Sequence, residues 1–257
     1  IPTNTFTATG EVITYFKAKP VLVDCKKSDF NIDENKIESE ITDKTKAIMP
    51  VHFGGNPCEI NVIKAICAKY NLKLIEDAAH ALTSKYQGNL IGAQGDITCF
   101  SFYATKNITT GEGGMAVTSN PVYAEKIRKL SLHGINVDAW NRYGEKGSWF
   151  YEVIDAGFKY NMSDILASIG TIQMTKVESM LEKRTNIAKI YSDNLTNIPS
   201  ITLPKSNKEN RHSWHLYVIQ IDTKYLNIGR DEFITKLKEY NIGTSVHFIP
   251  LHRHPYY

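Results

Sequence analysis

The segment SFYATKNITTGEGG, residues 101–114, sets one lysine, Lys106, among small and hydroxylated residues and follows it with three glycines. The run before it, DITCFSFY (96–103), is typical of a buried strand, and GMAVTS (114–119) is typical of another. A lone lysine after a strand is usually a solvated surface residue, and glycines between strands usually form a tight turn. Lys106 therefore indicates a reaction only if other chemical groups converge on it.

Strand and helix signals alternate on the N-terminal side of this segment. Residues 20–25, 46–53 and 73–77 are short apolar runs, and residues 57–70 repeat their apolar side chains at helical spacing. Strand, helix and strand joined by short connections form right-handed parallel crossovers. We therefore expect an α/β fold with a mostly parallel central sheet flanked by helices.

The C-terminal side predicts a change of architecture. Pro121 and Gly134 bracket one helix, and a long helix is expected from Ser163, whose side chain is a candidate cap. Three shorter elements should follow: a strand over 215–222, a helix over 230–241 and a strand over 243–250. The predicted organisation is a large α/β domain over 1–162, a bridging helix over 163–200 and a smaller α+β domain over 201–257.

Composition excludes several classes of function. The chain has 257 residues, 42% of them hydrophobic and 22% charged, which is typical of a globular protein. A net charge of +3 without a basic block argues against nucleic-acid binding, and no apolar run reaches the length of a membrane span. Four dispersed cysteines without a C-x-x-C pair favour reduced thiols and a cytoplasmic location.

A second set of polar residues should meet Lys106. Asp77 ends the strand KLIED, and Ser101 and Lys106 follow the next buried strand, so all three are expected at the carboxyl edge of the sheet. These three groups suit pyridoxal 5'-phosphate: the carboxylate can pair with its pyridine nitrogen, the amine can form an imine with its aldehyde, and the hydroxyl can bind its phosphate. His80 could pack on the ring face. Taken singly, Asp77 could be a helix cap and His80 an ordinary polar-edge histidine.

At this joint spacing the sequence resembles the DegT/DnrJ/EryC1/StrS aminotransferase family, which has an aspartate-aminotransferase-like (type I) fold. The resemblance covers nearly the whole chain and is carried by EDAAHA, SFYATKN, TTGEGG, KYNMSDILASIG and GTSVHFIPLH. HGINVDAWNRY and GFKYNMSDI are most similar to the branch that aminates 4-keto sugars carried on UDP, typified by the 4-amino-4-deoxy-arabinose pathway enzyme.

The resemblance assigns roles around the cofactor. It implies that Lys106 bonds to the cofactor aldehyde and that Asp77 pairs with the pyridinium nitrogen. His80 stands where the family usually has Gln or His on the cofactor ring, and Ser101 would bind the phosphate. Asn161 would reach across a homodimer interface to the partner's cofactor.

The resemblance also implies a substrate side. Thr5, Tyr103 and His247 stand at positions that tend to face substrate, and Arg142 would meet the nucleotide diphosphate. The implied reactants are glutamate as amino donor and a keto sugar nucleotide as acceptor, for surface polysaccharide or glycan synthesis. No metal is expected, since the spacing of the three histidines over 247–254 fits no standard site.

The sequence departs from the family pattern at both ends. Family members usually have some tens of residues before IPTNTFTATG, with a Gly-Thr/Ser phosphate-binding segment, and they continue beyond HPYY. The chain therefore resembles an incomplete member. Two other functions stay open: a sugar dehydratase, although such relatives carry His where Lys106 stands, and a non-catalytic binding or regulatory protein of the same fold.

Overall fold

The computed structural model describes residues 1–136 and 150–257. The strands are β1 (Ala47–Ile48), β2 (Lys73–Asp77), β3 (Lys85–Tyr86), β4 (Asn89–Leu90), β5 (Ile97–Ser101), β6 (Gly114–Val117), β7 (Ile201–Thr202) and β8 (Gln220–Ile221). The central sheet has the strand order β1-β2-β5-β6. The first three of these strands run parallel, and β6 pairs antiparallel with β5.

Helices flank this sheet or follow it in the chain. The described α-helices are α1 (Thr7–Tyr15), α2 (Ile60–Tyr70), α3 (Pro121–Leu130), α4 (Asp164–Met174), α5 (Val177–Leu195) and α6 (Arg230–Glu239). The expected mostly parallel α/β architecture is confirmed. No helix in the described ranges combines the length and the apolarity that crossing a membrane requires.

The hydrophobic core lies between α2 and one face of the sheet. Ile60 and Ile63 of α2 are fully buried and belong to one cluster with Leu74 of β2 and Ile48 of β1. Burial of each such side chain contributes on the order of 2 kcal/mol. This packing fixes the sheet, and therefore the ends of β2 and β5, from which the next loops begin.

The segment after β5 is a closed loop. The Phe102 N–H donates to the Gly113 carbonyl and the Thr110 N–H donates to the Phe102 carbonyl. Gly113 has φ +151°, and a β-carbon there would lie 2.5 Å from the Thr110 hydroxyl, so only glycine fits. The three-glycine run therefore lets the chain turn back into β6.

Several expected strands are shorter than the sequence pattern predicts. Residues 20–25 form only isolated bridges, including Val23 with Pro2. Residues 215–219 contribute no ladder to β8; instead the Leu216 N–H donates to the Gly54 carbonyl. Residues 243–250 form no strand either. Apolar β-branched runs favour extended backbone, but a strand also requires a partner with matching register, which these segments lack.

The long helix expected from Ser163 is two helices. Ser163 caps α4 as predicted, its hydroxyl accepting from the Leu166 N–H. At the other end the Lys176 N–H donates to the Gln173 carbonyl, and the Thr175 hydroxyl donates to the Ile172 carbonyl. Both bonds span three residues instead of the four of an α-helix, and they end α4 before α5 begins.

Candidate active site

The site is built around Asp77, the last residue of β2. Its Oδ2 accepts a hydrogen bond from the Thr9 hydroxyl at 2.7 Å, and its Oδ1 accepts one from the Ala79 N–H at 3.1 Å. Thr9 lies in the first turn of α1 and is buried. Both carboxylate oxygens are therefore held by donors from different parts of the chain.

Lys106 lies in the loop after β5 and is half-buried. Its N–H donates to the Tyr103 carbonyl, and the neighbouring Asn107 amide donates to the Ser213 carbonyl at 2.9 Å, so the loop is fixed on both sides. Burial lowers the pKa of the Lys106 amine, against an opposing effect of the nearby Asp77 charge. The result is an amine that loses its proton, and so becomes nucleophilic, more readily than a surface lysine.

His80 lies beside them in a buried aromatic cluster. Its Nδ1 accepts from the Gly54 N–H at 3.2 Å, which leaves the proton on Nε2. Its ring lies 4.4 Å from the His215 ring and is stacked at 6.0 Å on Phe248, both measured between centroids. Burial, followed by the charges of His215 and Lys106, lowers the pKa of His80 to about 2, so the imidazole is neutral.

Ser101 ends β5 on the same face as Asp77. In register, Cys99 is opposite Asp77, and strand alternation places Ser101 on that face as well. Its hydroxyl oxygen accepts from the Tyr103 N–H at 3.3 Å, while its own proton is available for an anion. The arrangement brings a hydroxyl to the edge of the sheet at which Asp77 stands.

His247 comes from the C-terminal segment. It is half-buried, its Nδ1 lies 3.0 Å from the Ser245 hydroxyl, and burial together with the Lys106 charge lowers its pKa. The adjacent Phe248 N–H donates to the Asn4 side chain, so this segment packs on the N-terminal residues. This packing holds the segment that carries His247 against the N-terminal residues.

The remaining predicted residues differ in placement. Thr5 is buried, with its hydroxyl 2.7 Å from that of Thr9, whereas Tyr103 is 47% exposed. Asn161 is exposed and accepts a hydrogen bond from Lys159. Arg142 lies outside the described residues. The roles expected of these four residues remain predictions.

Sequence reasoning missed three residues at this site. Thr9 holds the Asp77 carboxylate, Asn107 anchors the Lys106 loop, and the ring of His215 packs against His80. His215 has its pKa lowered to about 3, first by burial and then by the Lys106 charge. Asn107 adjoins the lysine in sequence and could have been suspected, but Thr9 and His215 lie far away in the chain and give no local signal.

The chain matches the DegT/DnrJ/EryC1/StrS aminotransferase family over residues 1–257. It is 55% identical over 253 residues to the uncharacterized protein MJ1066 of Methanocaldococcus jannaschii, covering 98% of this chain and 66% of that protein. It is 48% identical over 254 residues to the spore coat polysaccharide biosynthesis protein SpsC of Bacillus subtilis, covering 98% of this chain and 65% of that protein.

Solved structures agree with these sequence matches. The sugar aminotransferase Spr1654 of Streptococcus pneumoniae in its PMP form, described as putative, superposes with a TM-score of 0.89 at 31% identity, over 99% of this chain and 69% of that one. Helicobacter pylori PseC, an aminotransferase of pseudoaminic acid biosynthesis, superposes with a TM-score of 0.90 at 28% identity, over 100% and 66%. The chain thus spans just under two thirds of the curated relatives it matches.

Proposed function

Because the chain belongs to the DegT/DnrJ/EryC1/StrS aminotransferase family of pyridoxal-phosphate-dependent enzymes, we propose that the protein transfers an amino group from glutamate to a keto sugar nucleotide. One observation supports this most directly. The half-buried amine of Lys106 and the doubly hydrogen-bonded carboxylate of Asp77 follow two adjacent parallel strands at one edge of the sheet, and the Asp77 charge acts on the pKa of that amine.

The residues present fit pyridoxal phosphate. Lys106 supplies an amine whose pKa is lowered by burial, and Asp77 supplies an oriented carboxylate. His80 supplies a neutral ring in a stack of aromatic side chains, and Ser101 a hydroxyl proton for the phosphate. When bound, the cofactor withdraws electrons from the substrate carbon that gains or loses a proton.

The chain's own residues then divide the work. Lys106 would hold the cofactor at rest and, once released, would move the proton from the donor carbon to the cofactor in the first half-reaction and from the cofactor to the acceptor carbon in the second. Asp77 keeps a negative charge against the ring nitrogen. The buried ring of His80, stacked on the half-buried ring of Phe248, would shield one side of the site from water, which favours both electrostatic contacts.

The acceptor and assembly are proposed more finely. Similarity of the segments around His133 and Asn161 to the UDP branch favours a UDP-linked 4-keto sugar, with Arg142 as a diphosphate contact and Thr5, Tyr103 and His247 on the substrate side. A homodimer would let Asn161, which is exposed, reach the partner's site. Four free cysteines are consistent with a cytoplasmic location.

A cofactor-trapping experiment tests the proposed function. The full-length protein should be yellow with pyridoxal phosphate, and its absorption should shift on adding glutamate. In a separate sample without glutamate, borohydride should fix the cofactor covalently on Lys106, as located by peptide mass, and the Lys106→Arg variant should show no such mass. Trapping on another lysine, or no spectral response to glutamate, would contradict the assignment.

A panel of UDP-, dTDP- and GDP-linked keto sugars, each incubated with glutamate, tests the acceptor. An amino sugar formed from a UDP-4-keto sugar is the expected product. Amination of only dTDP- or GDP-linked sugars would contradict the UDP proposal while leaving the aminotransferase proposal intact.

A further inference from the structure

A chain of hydroxyl groups runs from the N-terminal segment to the site carboxylate. The Thr5 and Thr9 hydroxyl oxygens lie 2.7 Å apart, and the Thr9 hydroxyl lies 2.7 Å from Asp77 Oδ2. Thr5 is 1% exposed and Thr9 is 3% exposed, so water does not compete for these bonds. Both threonines are far from Asp77 in sequence, and α1 brings Thr9 to it.

The direction of these hydrogen bonds follows from the donors available. An ionised carboxylate can only accept, so Thr9 donates its single hydroxyl proton to Asp77. Thr9 must then accept from Thr5, whose proton has no other role in this pair. The two bonds therefore point the same way, and their dipoles add in stabilising a negative charge on Asp77.

Asp77 is also held on its other oxygen. The Ala79 N–H donates to Oδ1 at 3.1 Å, so the carboxylate cannot rotate without losing one bond or the other. A carboxylate fixed in this way needs no reorientation when a cationic N–H arrives. Such preorganisation strengthens binding, since the cost of ordering the group is already met by folding.

We propose that Thr9, supported by Thr5, is a positioning residue that fixes and charges Asp77 for the ring nitrogen of the cofactor. The inference rests on the proposed function, because only a cofactor with a pyridine nitrogen gives Asp77 a partner. Thr9 acts through Asp77 and does not itself touch the reacting atoms. Through Thr9, α1 contributes to cofactor binding, although the sequence pattern did not connect this helix with the site.

A matched pair of variants separates this role from packing. Thr9→Val keeps the shape and removes the hydroxyl, whereas Thr9→Ser keeps the hydroxyl and removes a methyl group. Titration of the full-length apo proteins, followed by absorption, gives their affinities for pyridoxal phosphate. The same titration with an analogue that carries carbon in place of the ring nitrogen removes the partner of Asp77. Thermal melting of each apo variant checks that it is folded.

We expect Thr9→Val to bind pyridoxal phosphate roughly tenfold more weakly than wild type, the size of a lost hydrogen bond to a charged group. Thr9→Ser should stay within about twofold of wild type, because it restores the bond. With the nitrogen-free analogue, all three proteins should bind equally. The ring-nitrogen proton of the bound cofactor should also be lost at lower pH in Thr9→Val than in wild type. A pH titration followed by absorption would show this as a shifted midpoint.

Two results would overturn the inference alone. Thr9→Val could bind pyridoxal phosphate as wild type does, or it could weaken the cofactor and the analogue equally, which would indicate a packing role. Failure of the wild-type protein to bind pyridoxal phosphate is a different outcome, because the proposed function would then fall together with the inference.

Discussion

Glu76 and Asp77 are adjacent acids on β2 whose surroundings differ completely. Glu76 is fully buried on the α2 side of the sheet, where its carboxylate accepts from His52 Nε2 at 3.0 Å, the Thr98 hydroxyl at 2.8 Å and the Gly95 N–H at 2.7 Å. Asp77 faces the opposite side, is only partly buried and lies near the amine of Lys106.

The difference teaches how to distinguish a structural acid from a site acid. Burial alone would raise the pKa of Glu76, but the hydrogen bond from His52, with help from Thr98 and Gly95, lowers it. His52 Nδ1 accepts from the Cys58 N–H, so the ring that donates to Glu76 is itself held in place. Glu76 is enclosed by donors of the protein, whereas Asp77 has donors that orient it and a face open to a further cation.

The largest expected effect concerns Lys106. Lys106→Ala should reduce turnover by at least about 10³-fold, because proton transfer and covalent attachment are lost together. Initial rates with glutamate and the keto sugar nucleotide measure it. Apo stability should be unchanged within about 0.5 kcal/mol, as for a substitution outside the core. Turnover near the wild-type rate would contradict the difference drawn between the two acids, since the side of the sheet that carries Asp77 would then have only a structural role, like the side that carries Glu76.

The next effect concerns Asp77 itself. Asp77→Asn keeps the shape and removes the charge, so turnover should fall roughly 10²-fold, the usual cost of removing one preorganised electrostatic contact. Single-turnover absorption measurements with glutamate would show whether the loss lies in the proton-transfer step. Wild-type activity in this variant would contradict the role given to Asp77.

Glu76→Gln should show the reverse pattern. The amide presents an NH₂ group to donors that already point inward, so at least one buried bond is lost, at a cost of about 2 kcal/mol or about thirtyfold in the folding equilibrium. Urea unfolding of the apo protein measures the cost without a contribution from cofactor binding. A variant that lost activity without losing stability would place Glu76 with the site and remove the distinction.

His212 extends the comparison from acids to bases and has the smallest expected effect. Burial lowers its pKa from 6.5 to about 3. The unfolded chain therefore binds a proton that the folded protein does not, between these two values, and stability falls as pH falls below about 6.5. In His212→Asn, whose side chain can still accept from the Trp214 N–H, the loss of unfolding free energy between pH 7 and pH 6 should be smaller by about 0.7 kcal/mol. Urea midpoints at the two pH values measure the change in unfolding free energy. An equal decrease in wild type and variant would show that His212 does not titrate as described.

Prediction from sequence succeeded where the signal is local. Strand alternation, helical spacing and the Ser163 cap gave the parallel α/β architecture and the positions of β2, β5 and α2. It failed for the strands expected over 20–25 and 243–250, since an apolar run cannot reveal whether a hydrogen-bonding partner is at hand. The long helix from Ser163 was likewise predicted as one element, because its break depends on two local hydrogen bonds without a glycine or proline to mark them.

The amino-acid sequence by itself determined the chemical groups of the site and their order along two adjacent strands, because parallel strands deliver their carboxyl ends to one edge of a sheet. Only the tertiary structure decided that Glu76 would be enclosed and Asp77 left open to a partner. It alone brought Thr9 and His215 to the site, since contacts between residues so distant in the chain depend on how helices and loops pack, and no local pattern encodes them.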